Sequence, residues 1–277
     1  MTNTKPNFPP IRACIFDMDG LLLNTEDIYT LCADNILMKY GRPRLPWSVK
    51  ARLMGVPGSS NGDVFHAWAQ LPISREQFAK EQREQQHAHF PECKPLPGVK
   101  KLLLDLQKAH NTNGMRVRTA LASSSVRYNY NLKASGSEAK AVLDLLPEEH
   151  RILGDDPRVA KGRGKPAPDI YLLALQTINS KIPPGEPKIT SGECLVFEDS
   201  VPGVEAGRRA GMRVVWVPHV ELFAEWEGRA SEVLAGRTGL VKVGDEDQLG
   251  EFDDGWGEHL TSLENFPYER FGIEVPS

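Results

Sequence analysis

The chain has no uninterrupted run of about 18 apolar residues, the length that crosses a bilayer as a helix. Its opening, M-T-N-T-K-P-N-F-P-P, lacks the apolar centre of a secretion signal. Neither membrane insertion nor export is expected, and a cytoplasmic location is. Cysteine is sparse: Cys14, Cys32, Cys93 and Cys194 are scattered without a C-x-x-C pair. Cys14 and Cys194 fall in apolar runs, where cysteine serves as a small hydrophobe, as suits a reducing compartment. Positive charge is not in excess; the net charge of -4 and pI near 6.0 argue against nucleic acid as a partner. His87-Ala88-His89 resembles a metal pair only on paper, because residues i and i+2 face different sides of a helix, so these are surface side chains. There is no internal repeat. What remains is 277 residues, 40% hydrophobic and 25% charged, enough for a core domain with a smaller partner, and a monomer is expected.

The chain organises around Arg12 to Glu26, R-A-C-I-F-D-M-D-G-L-L-L-N-T-E. Ala13 to Phe16 form a short continuous apolar run, the pattern of a strand buried on both faces of a parallel sheet. It ends in Asp17-Met18-Asp19-Gly20. Two carboxylates this close at the end of a buried strand repel each other and are costly to desolvate. A hard divalent cation, which takes oxygen ligands, gives the second acid a reason.

Before this stretch, residues 1–10 read as a mobile tail. After it, Asn24 or Thr25 is placed to cap a helix with Glu26 and Asp27 in its first turn. Residues 27–95 read as a helical insertion broken at Gly41-Arg42-Pro43, Pro57 to Ser60 and Leu71-Pro72. Ser74 to Gln77 has the form of a capping box. Pro91 to Gly98 is a stiff return linker. Strands are then expected at Val117–Ala122, Arg151–Gly154, Cys194–Phe197, Arg213–Val217 and, last, Gly239–Val243. They alternate with helices at Val99–Ala109, Ala139–Leu146, Ile170–Ile178 and Val204–Ala210. The fold class is therefore α/β, a Rossmann-like parallel sheet formed by residues 11–26 and 96–277, with a small helical domain inserted. Residues 244–277 carry scattered aromatics and no assignable chemistry.

Ligands of such sheets bind beyond the carboxyl ends of the strands. Four elements fall there or in an adjoining loop: Asp17 with Asp19, Ser123 with Ser124, Lys165 in K-G-R-G-K-P-A-P-D with Lys161 as a competitor, and Glu198-Asp199. In that order, D-M-D-G-L-L-x-x-T-E and its successors resemble the haloacid dehalogenase-like phosphohydrolases, over roughly Arg12 to Pro218. The resemblance implies an aspartyl-phosphate mechanism. Asp17 is then the nucleophile, Asp19 the general acid and base, and Ser123 and Lys165 the groups that hold the phosphate. Mg²⁺ is held by Asp17, the Asp19 carbonyl, Asp199 and, less firmly, Glu198. Members that cleave carbon–halogen bonds lack the second acid, so Asp19 points to phosphate chemistry. The insertion corresponds to the family's mobile cap, expected to carry substrate contacts at Arg52 and Met54 in R-L-M-G-V-P-G-S-S. Related sugar-phosphate mutases carry a lysine where Met54 stands, which favours hydrolysis. The partner implied is a small phosphorylated metabolite, a nucleoside or sugar monophosphate. The alternatives are a mutase of the same fold and an inactive binding protein.

Overall fold

A computed structural model describes residues 8–56, 58–244 and 248–276. Residues 1–7, most of the expected tail, and Pro57 of the expected cap loop lie outside that description. Residues 8–10 are packed: Phe8 meets Trp256 edge-on at 5.4 Å, and Arg213 Nη2 donates to the Pro9 carbonyl at 2.7 Å.

In chain order the elements are β1 (Ala13–Phe16), α1 (Thr25–Lys39), α2 (Trp47–Lys50), α3 (Gly58–Ala69), α4 (Arg75–His89), α5 (Val99–Lys108), β2 (His110–Asn111), β3 (Arg118–Ala122), α6 (Arg127–Lys133), α7 (Ser137–Leu143) and β4 (Arg151–Ile152). There follow α8 (Asp169–Ser180), β5 (Cys194–Glu198), α9 (Val201–Arg209), β6 (Arg213–Trp216), α10 (Val220–Glu225), α11 (Ala230–Ala235), β7 (Gly257–His259) and β8 (Ile273–Glu274). Six strands form a parallel sheet in the order β4-β3-β1-β5-β6-β7, and β2 pairs antiparallel with β8. The sheet grows outward in both directions from β1. The carboxyl end of β1 is therefore the point where strand order reverses, the crevice in which α/β sheets bind ligands.

Side-chain alternation along β1 builds the two faces. Cys14 and Phe16 enter one cluster with Leu102, Leu103 and Leu106 of α5, while Ala13 and Ile15 enter another with Ile170, Ala174 and Ile178 of α8. All four β1 residues are buried, as a strand covered on both sides requires. The helices α1 to α4 include a core of their own, Ile36, Leu37, Phe65, Ala69 and Phe78. The outgoing and returning chains are stitched together. The Lys94 amide donates to Asn24 Oδ1 (2.8 Å), the Asn24 amide to the Lys94 carbonyl (3.0 Å), and the Leu96 amide to the Leu22 carbonyl (3.0 Å).

Three expectations need correction. Gly239–Val243 is not a strand; the outermost strand of the sheet is Gly257–His259, inside the segment that carried no reading. Its three residues are only half-buried and do not alternate cleanly, so no period-2 signal marks it. α9 starts at Val201, earlier than Val204, because Ser200 Oγ accepts from the Gly203 amide at 3.2 Å and Pro202 is tolerated in a first helical turn. A helix at Arg127–Lys133 was not expected, and it matters below.

The carboxyl-terminal segment belongs to the core. Phe266 is 5% exposed and packs against Phe197 at 5.2 Å and Phe271 at 5.1 Å, on the sheet face that holds Phe16. Phe266→Ala should cost about 3 kcal/mol and lower Tm by roughly 6–12 °C for a chain of this size. Thermal unfolding checks this; an unchanged Tm would mean the segment does not contribute to the core.

Candidate active site

Asp17 follows β1 directly, and its amide donates to the Phe197 carbonyl of β5 at 3.0 Å, so the ladder fixes where its side chain starts. Lys165, 3% exposed, donates from Nζ to Asp17 Oδ1 and to Glu198 Oε1, the latter at 2.6 Å. The competing Lys161 is exposed at the cavity's edge, whereas Lys165 meets Asp17. Glu198 is saturated by donors. Tyr171 Oη reaches Oε1 at 2.6 Å, and the Ser200 amide and hydroxyl reach Oε2 at 3.1 Å. Gly203 is required here, since a Cβ would lie 1.9 Å from the Glu198 carboxyl. Asp199 is placed by its own carbonyl, which accepts from Trp216 Nε1 at 2.8 Å.

Oxygens of Asp17, Glu198 and Asp199 all come within 4.8 Å of one another, and all three residues are buried. Three carboxylates face one ammonium group. Burial, with Glu198 and Asp19 nearby, pushes Asp17 up to about 7 despite Lys165. Burial and the charges of Glu198, Asp17 and Glu26 push Asp199 well above the ordinary carboxylate value. An all-oxygen donor set with unbalanced negative charge fits a hard divalent cation. Because Glu198 is engaged by Lys165, Tyr171 and Ser200, Asp17 and Asp199 are the carboxylates better placed to hold it.

Asp19 has a different environment. Its Oδ1 accepts from Lys133 Nζ at 2.5 Å and its Oδ2 from Ser125 Oγ at 2.7 Å. Burial alone would raise its pKa. The Lys133 charge, with hydrogen bonds from Lys133, Ser125 and Thr25, outweighs burial and holds the carboxyl below its usual value. Ser123 is fully buried and its Oγ accepts from the Ser125 amide at 3.1 Å, bracing the loop.

Above these groups lies a cavity of about 890 Å³, with Asp17, Asp19, Ser124, Ser125, Lys165 and Asp199 on the sheet side. Lys50, Met54, Val56, His66 and Arg75 close it from the helical insertion. The structure thus brings Asp17, Asp19, Lys165, Glu198 and Asp199 together, with Ser124 and Met54 in the walls. Ser123 lies behind the lining, and Arg52 is exposed outside it. Sequence reasoning missed Lys133, Ser125 and Tyr171. The available signal for Lys133 was its i, i+3 spacing from Tyr130 on the buried face of α6, a weak one because a lysine at a helix end normally faces solvent.

The fold, the acidic pair and the buried lysine define a hydrolase class. Residues 14–217 match the haloacid dehalogenase-like hydrolase family, and the chain belongs to it. The chain is 36% identical over 263 residues to a protein of Saccharomyces cerevisiae named as a probable pseudouridine-5'-phosphatase, covering 95% of this chain and 98% of that one. It is 33% identical to (DL)-glycerol-3-phosphatase 1, mitochondrial, of Arabidopsis thaliana, covering 85% and 73% of the two. Among solved structures, CbbY of Rhodobacter sphaeroides in complex with xylulose-1,5-bisphosphate aligns with a TM-score of 0.59 over 93% of this chain and 96% of that one. At 19% identity it speaks for the fold alone.

A pH prediction follows from the raised Asp17. Its folded value of about 7 exceeds the unfolded value near 4, so the folded state retains a proton that the unfolded chain has lost. The contribution to stability therefore falls as pH rises between those values, and a divalent ion, which needs the ionised carboxylate, opposes the fall. The rise in Tm on adding Mg²⁺ should be larger at about pH 8 than at about pH 5, and should vanish in Asp17→Asn/Asp199→Asn. Equal rises at both pH values in both proteins would mean that these carboxylates do not hold the ion.

Proposed function

We propose that the protein is a Mg²⁺-dependent phosphomonoester hydrolase acting through an aspartyl-phosphate. Its substrate in this reading is a small phosphorylated metabolite, pseudouridine 5'-phosphate or a related nucleoside or sugar monophosphate. The observation that carries this reading is the pair of acids two residues apart in opposite surroundings. Asp17 sits among carboxylates with Lys165, and Asp19 sits beside Lys133 and Ser125, both on one wall of the cavity.

Asp17 attacks phosphorus, the bond to the ester oxygen breaks, and an acyl phosphate forms. Asp19 delivers a proton to the departing oxygen, then takes one from the water that attacks the acyl phosphate, which restores Asp17 and releases inorganic phosphate. Lys165 holds Asp17 in place and offers positive charge where the phosphoryl oxygens arrive. When bound by Asp17, Asp199 and the Asp19 carbonyl, Mg²⁺ supplies the further charge that lets an anionic nucleophile approach an anionic ester. The helical insertion acts as the cap. It supplies the walls around whatever hangs from the phosphate and excludes water. Met54, where related mutases carry lysine, supports hydrolysis over transfer to a second substrate oxygen. The reading towards pseudouridine 5'-phosphate is supported by relatives at 36% and 35% identity named as probable pseudouridine-5'-phosphatases. Four buried free thiols suit a reducing, cytoplasmic setting.

A panel of phosphate esters assayed with Mg²⁺ tests this. Pseudouridine 5'-phosphate should show the highest kcat/KM, ahead of glycerol 3-phosphate and 4-nitrophenyl phosphate. Asp17→Asn should abolish turnover and the covalent intermediate, while Asp19→Asn should retain metal binding and lose roughly 10²–10⁴ in rate. Turnover by an intact Asp17→Asn protein would reassign the nucleophile. Substitution of Met54 or Val56 should change the ratio between the nucleotide and the aryl ester by about tenfold, a typical pocket contact. A uniform loss on every ester would remove the cap from substrate selection.

A further inference from the structure

We infer that Lys133 is the positioning residue for Asp19, and that it couples the orientation of that carboxylate to the helical insertion. The inference rests on the hydrolase reading above, which gives Asp19 the proton transfers. Lys133 is fully buried and lies behind the cavity lining, so it acts through its neighbours and not on substrate.

An ammonium group has three donors. Lys133 Nζ has a partner for each: Asp19 Oδ1 at 2.5 Å, Ser125 Oγ at 2.8 Å and the Tyr29 hydroxyl at 2.9 Å. Ser125 in turn donates to the other Asp19 oxygen at 2.7 Å, so both carboxylate oxygens are held from one side by a closed set of bonds. The rings of Tyr29 and Phe90 lie 4.8 and 4.6 Å from the same nitrogen, which lowers the cost of keeping a cation away from water. These partners come from separate parts of the chain. Asp19 and Ser125 follow β1 and β3 of the sheet, whereas Tyr29 is in α1 and Phe90 directly follows α4, the two ends of the insertion. A shift of the insertion moves Tyr29 and Phe90 against Lys133, and with them the support of Asp19. A carboxylate free to rotate would meet the departing oxygen in only some of its rotamers; one anchored at both oxygens has a single starting position.

A leaving-group comparison separates this role from a merely structural one. A phenol such as 4-nitrophenol departs without a proton, whereas an alkoxide needs one. The value of kcat/KM reports steps only as far as departure. In Lys133→Met, kcat/KM for the alkyl phosphate turned over best by the wild type should fall about 100-fold, and for 4-nitrophenyl phosphate less than about 5-fold. Hydrolysis of the acyl phosphate also uses Asp19, so the variant should release 4-nitrophenol in a burst followed by a slow steady state. Lys133→Arg, which keeps the charge, should recover at least about tenfold of the alkyl-ester loss. If Lys133→Met does not fold, Ser125→Ala, which frees the second Asp19 oxygen, should show the same dependence on leaving group. Equal losses on both esters without a burst, in whichever of the two variants is folded, overturn the assignment of Lys133 alone. A wild-type protein inert towards both esters overturns the hydrolase reading, and the role of Lys133 with it.

Discussion

The structure depends on an excess of negative charge buried at the carboxyl end of β1. Asp17, Glu198 and Asp199 crowd within 4.8 Å, with Lys165 against two of them. At an effective dielectric of about 20, like charges 4 Å apart repel by about 4 kcal/mol, a sizeable fraction of a domain's net stability. Much of the neighbouring sequence answers that repulsion. Tyr171 and Ser200 donate to Glu198, and Gly203 leaves room for its carboxyl. Trp216 holds the Asp199 backbone. These residues come from α8, β5, α9 and β6, so assembling the site and assembling one face of the sheet are the same event.

The two aspartates show how local surroundings separate two identical groups. They are two residues apart on one loop and start from the same intrinsic acidity. Asp17 is raised to about 7 by burial among acids, while Asp19 is lowered because Lys133, Ser125 and Thr25 outweigh its burial. Each has its own lysine, delivered from a different side of the chain: Lys165 from the loop before α8, Lys133 from the end of α6. In the proposed reaction Asp17 must be ionised to attack and Asp19 protonated to donate, so a divalent cation at Asp17, which favours the ionised carboxylate, would have to reverse the order that these surroundings set.

Much of this was legible in the sequence, for a physical reason. Strands buried on both faces must be continuously apolar, and acids at their ends stand out against that background. Ala13–Phe16 with Asp17, and Cys194–Phe197 with Glu198-Asp199, announced both halves of the acidic cluster. Lys165 was legible only by its setting among prolines and its order in the chain. The illegible parts lack contrast. Lys133 reads as a solvent lysine until α6 is folded against Tyr29 and Phe90, and β7 is three half-buried residues that the neighbouring β6 turns into a strand. Ser123 and Ser125 are two steps apart in a run of serines, and only the fold turns the first into a brace and the second into a partner of Asp19.

The insertion touches the site through a segment whose approach is set by backbone and not by side chain. Gly55 has a φ of +68°, and a Cβ there would lie 2.7 Å from Ser200 Oγ, the cap of α9 and a donor to Glu198. Any other residue would combine an unfavourable left-handed backbone with a collision against the acidic cluster's own support. On one side of that glycine, Met54 and Ala51 pack into the core cluster formed by the second face of the sheet. The wall of the cavity nearest the acids is therefore seated on the sheet, while Phe65 and Phe78, also in the lining, belong to the insertion's separate core. Hydrogen bonds between Asn24 and Lys94 tie the outgoing and returning chains of the insertion together. At Gly55 the insertion comes against Ser200, which donates to Glu198. The inner wall of the cavity and the support of the acidic cluster thus meet at a single contact, where a glycine lets the insertion approach the carboxyl edge of the sheet.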